Sequence, residues 1–134
     1  MMVLGSERDA HIAALEAPPA LVKLTRGEHV HPALDPWCRK LAFSCEPDEF
    51  APSGIELIPL WEGENSITGF YFSDAAARTF IRYDVEYIEQ FRVIGSTIEE
   101  AIQDVITDYV EDADLADVFA SLGLSDPNLA KLIR

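Results

Sequence analysis

His29, His31, Cys38 and Cys45 carry the side chains in this chain that most readily ligate a metal or attack a carbonyl carbon. Zinc sites are built from Cys-x-x-Cys pairs and from histidines about three to five residues apart. Here no CxxC occurs and the two histidines are separated by a single valine, so no zinc pattern is present. A thiol dyad of Cys38 with a histidine has no local motif behind it, and a small buried residue beside Trp37 accounts for Cys38 without chemistry. Phosphate loops of the GxxxxGK(S/T) and GxGxxG types are absent. Ser53 and Ser96 each adjoin a glycine, but neither lies in a GxSxG elbow. The expectation is therefore no catalytic residue, no metal and no cofactor. The competing reading is a small enzyme using Cys38, His29 or His31.

Carboxylates are the other group of interest. Between Arg92 and Lys131 there is no lysine or arginine, yet there are nine carboxylates, eight of them from Glu99 to Asp117. Carboxylates exposed on a helix make poor general acids. Asp108 to Asp117 also lacks the central glycine and the D-x-D-x-D-G order of a calcium loop. Glu100, Asp104, Asp108 and Asp112 follow at i, i+4 spacing, where like charges cost a helix about 0.2–0.5 kcal/mol per pair. Glu111 and Asp112 fall toward the end of that helix, where the dipole disfavours acids. A surface chosen for stability alone would mix in lysines. The expected partner-binding face is thus Glu99, Glu100, Asp104, Asp108, Glu111 and Asp112, turned toward something basic. By the same logic, changing Asp104 and Glu111 together to lysine is expected to stabilise the helix by a few tenths of a kcal/mol, about the size of such pairs.

The chain's 134 residues suit one domain with a real core, and an apolar fraction of 49% is too high for disorder. A formal charge of −14 argues against nucleic acid or an anionic membrane as partner. It favours a basic protein, or serves solubility alone. No apolar stretch is long enough to span a membrane. The first residues show neither the basic nor the apolar region of a secretory signal, so a cytoplasmic protein with reduced thiols is expected. Oligomeric state is not legible.

The elements that must position these groups read most clearly after residue 54. Ile55 to Trp61 is a strand whose Pro59 points to an edge or a bulge. Ile67 to Phe72 is a second strand, Thr79 to Val85 a third with Thr79, Ile81, Tyr83 and Val85 on one face, and Tyr87 to Ile94 a fourth. Short connections imply an antiparallel meander. The strand aromatics, Trp61 to Phe91, suit a core better than a base-stacking platform, which needs a basic groove. Ser96-Thr97-Ile98-Glu99 has the capping-box pattern, and Ile98, Ala101, Ile102, Val105, Tyr109 and Val110 recur at helical spacing. Asp114 can cap a shorter helix burying Leu115, Val118, Phe119 and Leu122, closed by Gly123. A last short segment starts at Ser125. Before residue 54, Ser6 can cap a helix from Glu7 to Glu16. Ala20 to Leu24 is an apolar run closed by Gly27, and Trp37 to Phe43 is either a buried strand or a helical turn. The fold class is α+β, an antiparallel sheet of about four or more strands with helices packed on one face.

Ile58-Pro59-Leu60-Trp61, Gly69-Phe70-Tyr71, Arg82-Tyr83 and Ile94-Gly95-Ser96-Thr97-Ile98-Glu99-Glu100-Ala101 together resemble the SUKH superfamily. That family follows a PLW-like strand with aromatic strands and an S-x-x-E helix start. The resemblance is strongest over 55–111, and the N-terminal segment departs from the usual pattern of a clearer helix and a Gly-rich turn. It implies one SUKH-like domain over 1–134 and a bacterial cytoplasmic immunity protein that binds a cognate toxin without doing chemistry. Nuclease toxins present basic clefts that an acidic face would occlude. A scaffold module of the same fold, as in the family's cell-wall-assembly regulators, is the alternative without a toxin.

Overall fold

The computed structural model describes residues 2–41, 50–74 and 77–124. Two short helices, α1 (Gly5–Ala13) and α2 (Pro19–Thr25), precede the strands β1 (Ile58–Glu62), β2 (Ser66–Phe72), β3 (Arg78–Asp84) and β4 (Arg92–Gly95). Helix α3 (Ile98–Tyr109), a 3-10 turn (Asp112–Asp114) and helix α4 (Leu115–Leu122) follow. The sheet is an antiparallel meander in the order β1-β2-β3-β4, so the fold is α+β. Among the described residues no helix is long and apolar enough to cross a membrane.

Both faces of the sheet are covered. All four helices pack on one face, where Ile12, Leu21, Leu24, Ile102, Val105, Ile106, Val118 and Phe119 meet Ile58, Leu60, Trp61, Phe70 and Phe80. Phe70 and Phe80 face each other across β2 and β3 with ring centroids 4.9 Å apart. The opposite face buries Leu57, Ile67, Ile81 and Tyr83 beneath loop residues that include Phe50, Ile55, Ile88 and Phe91. There the Tyr83 hydroxyl donates to the Phe50 carbonyl at 2.5 Å. Thus Ile81 and Tyr83 share a face as the alternation requires, and Phe80 is buried on the other.

Pro59 sits where a residue without an N–H is tolerated, on the edge strand at a register shift between Pro59 and Trp61. Opposite it, Gly69 admits the bulged backbone: a Cβ there would lie 2.6 Å from the Ile58 carbonyl oxygen. The outer side of β1 is closed by the chain itself. Met2 bridges Leu57, and Arg39 bridges Glu62. Between them the buried Arg8 donates through Nε to the Pro59 carbonyl (2.7 Å) and through Nη2 to those of Leu60 (3.1 Å) and Thr25 (2.5 Å).

Several boundaries differ from the sequence reading. Helix α1 starts at Gly5 behind Leu4 rather than at a Ser6 cap, and ends at Ala13. Glu16 then turns left-handed (φ 53°) ahead of the prolines that forbid a further turn. Residues 20–24 belong to a helix opened by Pro19. Residues 32–37 form turns, and the Trp37 N–H donates to the Leu34 carbonyl. The fourth strand starts only at Arg92, because the Asp84 carboxylate accepts the Glu86 N–H at 2.8 Å and folds the chain into turns through Gln90. Cys45 and the segment from Ser125 lie outside the described residues.

Replacing Arg8 by methionine keeps the aliphatic stem and strands three carbonyls without a donor. Urea denaturation should show a loss on the order of 3 kcal/mol. A loss within about 0.5 kcal/mol, typical of a surface change, would mean water serves those carbonyls instead.

Candidate partner-binding surface

Helix α3 begins one residue later than the expected capping box. Thr97 is the N-cap, its hydroxyl accepting the Glu100 N–H at 3.2 Å, and Glu100 reaches back to accept from the Ser96 N–H at 3.2 Å. The box is therefore Thr97 with Glu100, and Glu100 is occupied as a cap. Gly95 is required beside it, since a Cβ there would lie 2.5 Å from the Glu100 Cβ.

The two central acids of the helix face the sheet, and the sheet supplies their counter-charges. Arg82 of β3 and Arg92 of β4 are cross-strand partners on the face that α3 covers. Arg82 Nε lies 3.1 Å from Asp104 Oδ2, and its Nη2 bonds Asp108. Arg92 grips Asp104 in a fork at 2.9 and 3.1 Å and approaches Asp108 at 3.6 Å. The side chains of Arg82 and Asp104 are only 10% and 13% exposed. On its other flank Arg82 lies over the Tyr109 ring, 5.4 Å from the centroid, and Tyr109 stacks on Trp37 with centroids 3.7 Å apart and planes at 8°.

The six expected partner-binding residues therefore separate. Asp104 and Asp108 are held by arginines and Glu100 by the cap, while Glu99 is half-buried. Glu111 and Asp112 are exposed, but they do not belong to α3, which ends at Tyr109 with Val110 extended. They open the 3-10 turn that leads into α4, together with Asp114. Acids are favoured at a helix start. The expected dipole conflict is thereby corrected. Residues that sequence reasoning missed here are Arg82, Arg92, Trp37 and Tyr109. The one available signal was an arginine inside an otherwise apolar strand. Shallow clefts flank Tyr109, lined on one side by Trp37, Glu64, Asn65, Ser66 and Asp84.

The candidate chemical residues have local structural partners. The His29 Nδ1 lies 2.9 Å from both Asp35 carboxylate oxygens, and the His31 Nδ1 accepts the Ala33 N–H at 3.0 Å. Cys38 shares a shallow cavity with His29 and Asp35. Burial pushes its thiol well above the ordinary range, only partly opposed by Arg82, with Asp35 raising it further. A thiol kept protonated is the reverse of an activated nucleophile. Among the described residues no group of three or more His, Cys, Asp or Glu is placed to hold a metal ion.

These contacts reverse the expected effect of lysine at position 104. Asp104→Lys would set three cations together and leave the buried Arg82 dependent on Asp108. The loss should be about 3 kcal/mol, so the Asp104→Lys, Glu111→Lys pair should melt lower than the parent. A higher melting temperature would show that the arginine pairs contribute nothing. For Cys38, the folded chain holds the proton that an unfolded thiol releases above about pH 8.5, so stability should fall as pH rises through that point. Cys38→Ala should flatten the fall between there and the onset of tyrosine ionisation. An unchanged slope would assign it to other groups.

No family model, no curated protein and no solved structure matches this chain, so a reading of its function rests on this surface.

Proposed function

We propose that the chain is a non-catalytic binding protein of the bacterial cytoplasm that neutralises a basic protein toxin, as its resemblance to SUKH immunity proteins implies. The observation that carries this reading is the set of acids left over once the internal pairs are formed. Glu111, Asp112 and Asp117 are exposed and have no ion-pair partner among the described residues. They lie at the 3-10 turn and in the first turn of α4 that come after Tyr109, which is 41% exposed and in contact with both Trp37 and Arg82. Tryptophan, tyrosine and arginine are the residues that dominate binding hot spots, above all where they are already rigid. The free acids bring the partner in, and the stacked rings give it a preformed contact. Complementary charge of this kind mainly speeds encounter and selects the partner.

The test is capture with the immobilised full-length chain, followed by an assay of the captured protein's own activity. One basic protein should be recovered and inhibited at one-to-one stoichiometry. Its association should slow as salt rises to physiological strength. Glu111→Lys with Asp112→Lys should weaken binding by roughly tenfold or more, about 1.4 kcal/mol, and lower the melting temperature only slightly. Undiminished binding by that variant would reduce these acids to a solvated face, and recovery of no basic protein would remove the toxin reading.

A further inference from the structure

The two edges of the sheet are treated differently. β1 is stoppered by Met2, Arg8 and Arg39, whereas among the described residues nothing pairs with the outer side of β4. Ladder alternation shows which groups lie open there. The Val85 N–H donates to the Asn65 carbonyl, so the odd-numbered residues of β3 aim their backbone groups at β2 and the even-numbered ones at β4. Arg82 is even-numbered and pairs with Arg92, so Arg92 is turned inward. The next residue, Val93, turns its N–H and carbonyl outward. Val93 is 59% exposed and stands in register with Ile81, on the face away from α3. One residue thus offers a free donor, a free acceptor and an uncovered β-branched side chain, which is what strand addition requires.

Charge selects the occupant. Exposed Glu86 lies in the turn before β4 with Glu89, whose carboxylate accepts the Ser53 N–H, and Glu99 lies in the first turn of the helix after it, where Glu100 serves as the cap. A second copy would bring another net −14 to the same edge. We infer that β4 accepts an extended basic segment of the partner protein as a fifth strand, paired through the backbone of Val93. The pleat alternates sides, so that segment would place apolar residues beside Val93 and basic residues toward α3, except opposite Arg92, where a like charge is disfavoured and an uncharged residue fits. With four residues and a register shift, β4 offers only a short pairing. Side-chain specificity must therefore supplement the backbone bonds.

This inference rests on the binding reading above, and it is tested separately with the full-length chain and a synthetic peptide of valines alternating with lysines, one central lysine replaced by threonine to face Arg92, with blocked ends. In the free protein the Val93 amide should exchange rapidly with solvent, and peptide at saturation should slow it roughly tenfold or more. The same peptide N-methylated at its valines keeps the charge and loses the donors, so it should bind at least roughly tenfold more weakly. Val93→Pro removes the outward N–H and exchanges the β-branched side chain for a ring, at an edge position that tolerates proline. It should keep the melting temperature and lose the peptide. Equal binding of the N-methylated peptide would reduce the contact to charge attraction and overturn the proposal. So would a Val93 amide already protected in the free chain, whether by its own residues or by a concentration-dependent second copy. If Val93→Pro still captures and inhibits a basic protein, the binding reading stands and the β4 edge is excluded.

Discussion

Arg82 and Arg92 lie directly opposite each other on adjacent strands, and Asp104 and Asp108 lie one turn apart on a helix. Each arrangement is repulsive within its own element: like charges across a strand pair destabilise a sheet, and like charges at i, i+4 destabilise a helix. Neither the hairpin nor the helix carries its own remedy. When α3 docks on β3 and β4 the two repulsions become four attractions, with Asp104 shared between both guanidinium groups. A slip of α3 by one residue along the sheet would separate the forks from their carboxylates. The charge pattern therefore fixes the register in which the apolar side of α3, Ile98, Ala101, Ile102, Val105 and Ile106, enters the core. Hydrophobic burial supplies the attraction, and the quartet selects among the poses that burial alone would accept.

The same quartet shows why the acidic helix is easy to misread from sequence. Helix spacing rules compare residues three or four apart, while the counter-charges here come from 12 and 26 residues away, on other elements. Arg8 is hidden for the same reason, since two of its acceptors are carbonyls 51 and 52 residues distant. What was legible was local: the period of α3, the cap at its start to within one residue, the edge position of Pro59 and the closure of α4 by Gly123 at φ 72°. Between Asp84 and Arg92 the side-chain composition still suits a strand, but a carboxylate accepting a backbone N–H two residues on takes precedence over it. The short first helices carry too few turns for periodicity to place their ends.

The surface near Trp37 and Tyr109 gains its rigidity from this framework. Tyr109 is the last residue of α3, Trp37 sits in the turns after α2, and Arg82 is inside the sheet. Three separate parts of the chain meet at one ring, so an exposed tyrosine at the end of a helix is held by contacts from two other elements. A partner meeting such a ring loses little to side-chain ordering, in contrast to a surface of unpaired lysines or glutamates with free rotamers.

The quartet also sums to zero charge, which separates two properties that sequence reading had joined. Its two arginines and two aspartates cancel, so the entire net charge of −14 resides on the other residues. The docked side of α3 is close to neutral at short range, while the field felt at a distance by an approaching cation is undiminished. Long-range attraction follows net charge, but contact energy depends on which acids remain free to meet a cation once water is excluded. The acids with that freedom lie beyond Tyr109 and at Glu86 in the β3–β4 turn, beside an exposed ring on one side and an open strand edge on the other. Attraction thus belongs to the whole chain, and any selective contact belongs to the few rigid groups next to its unpaired carboxylates.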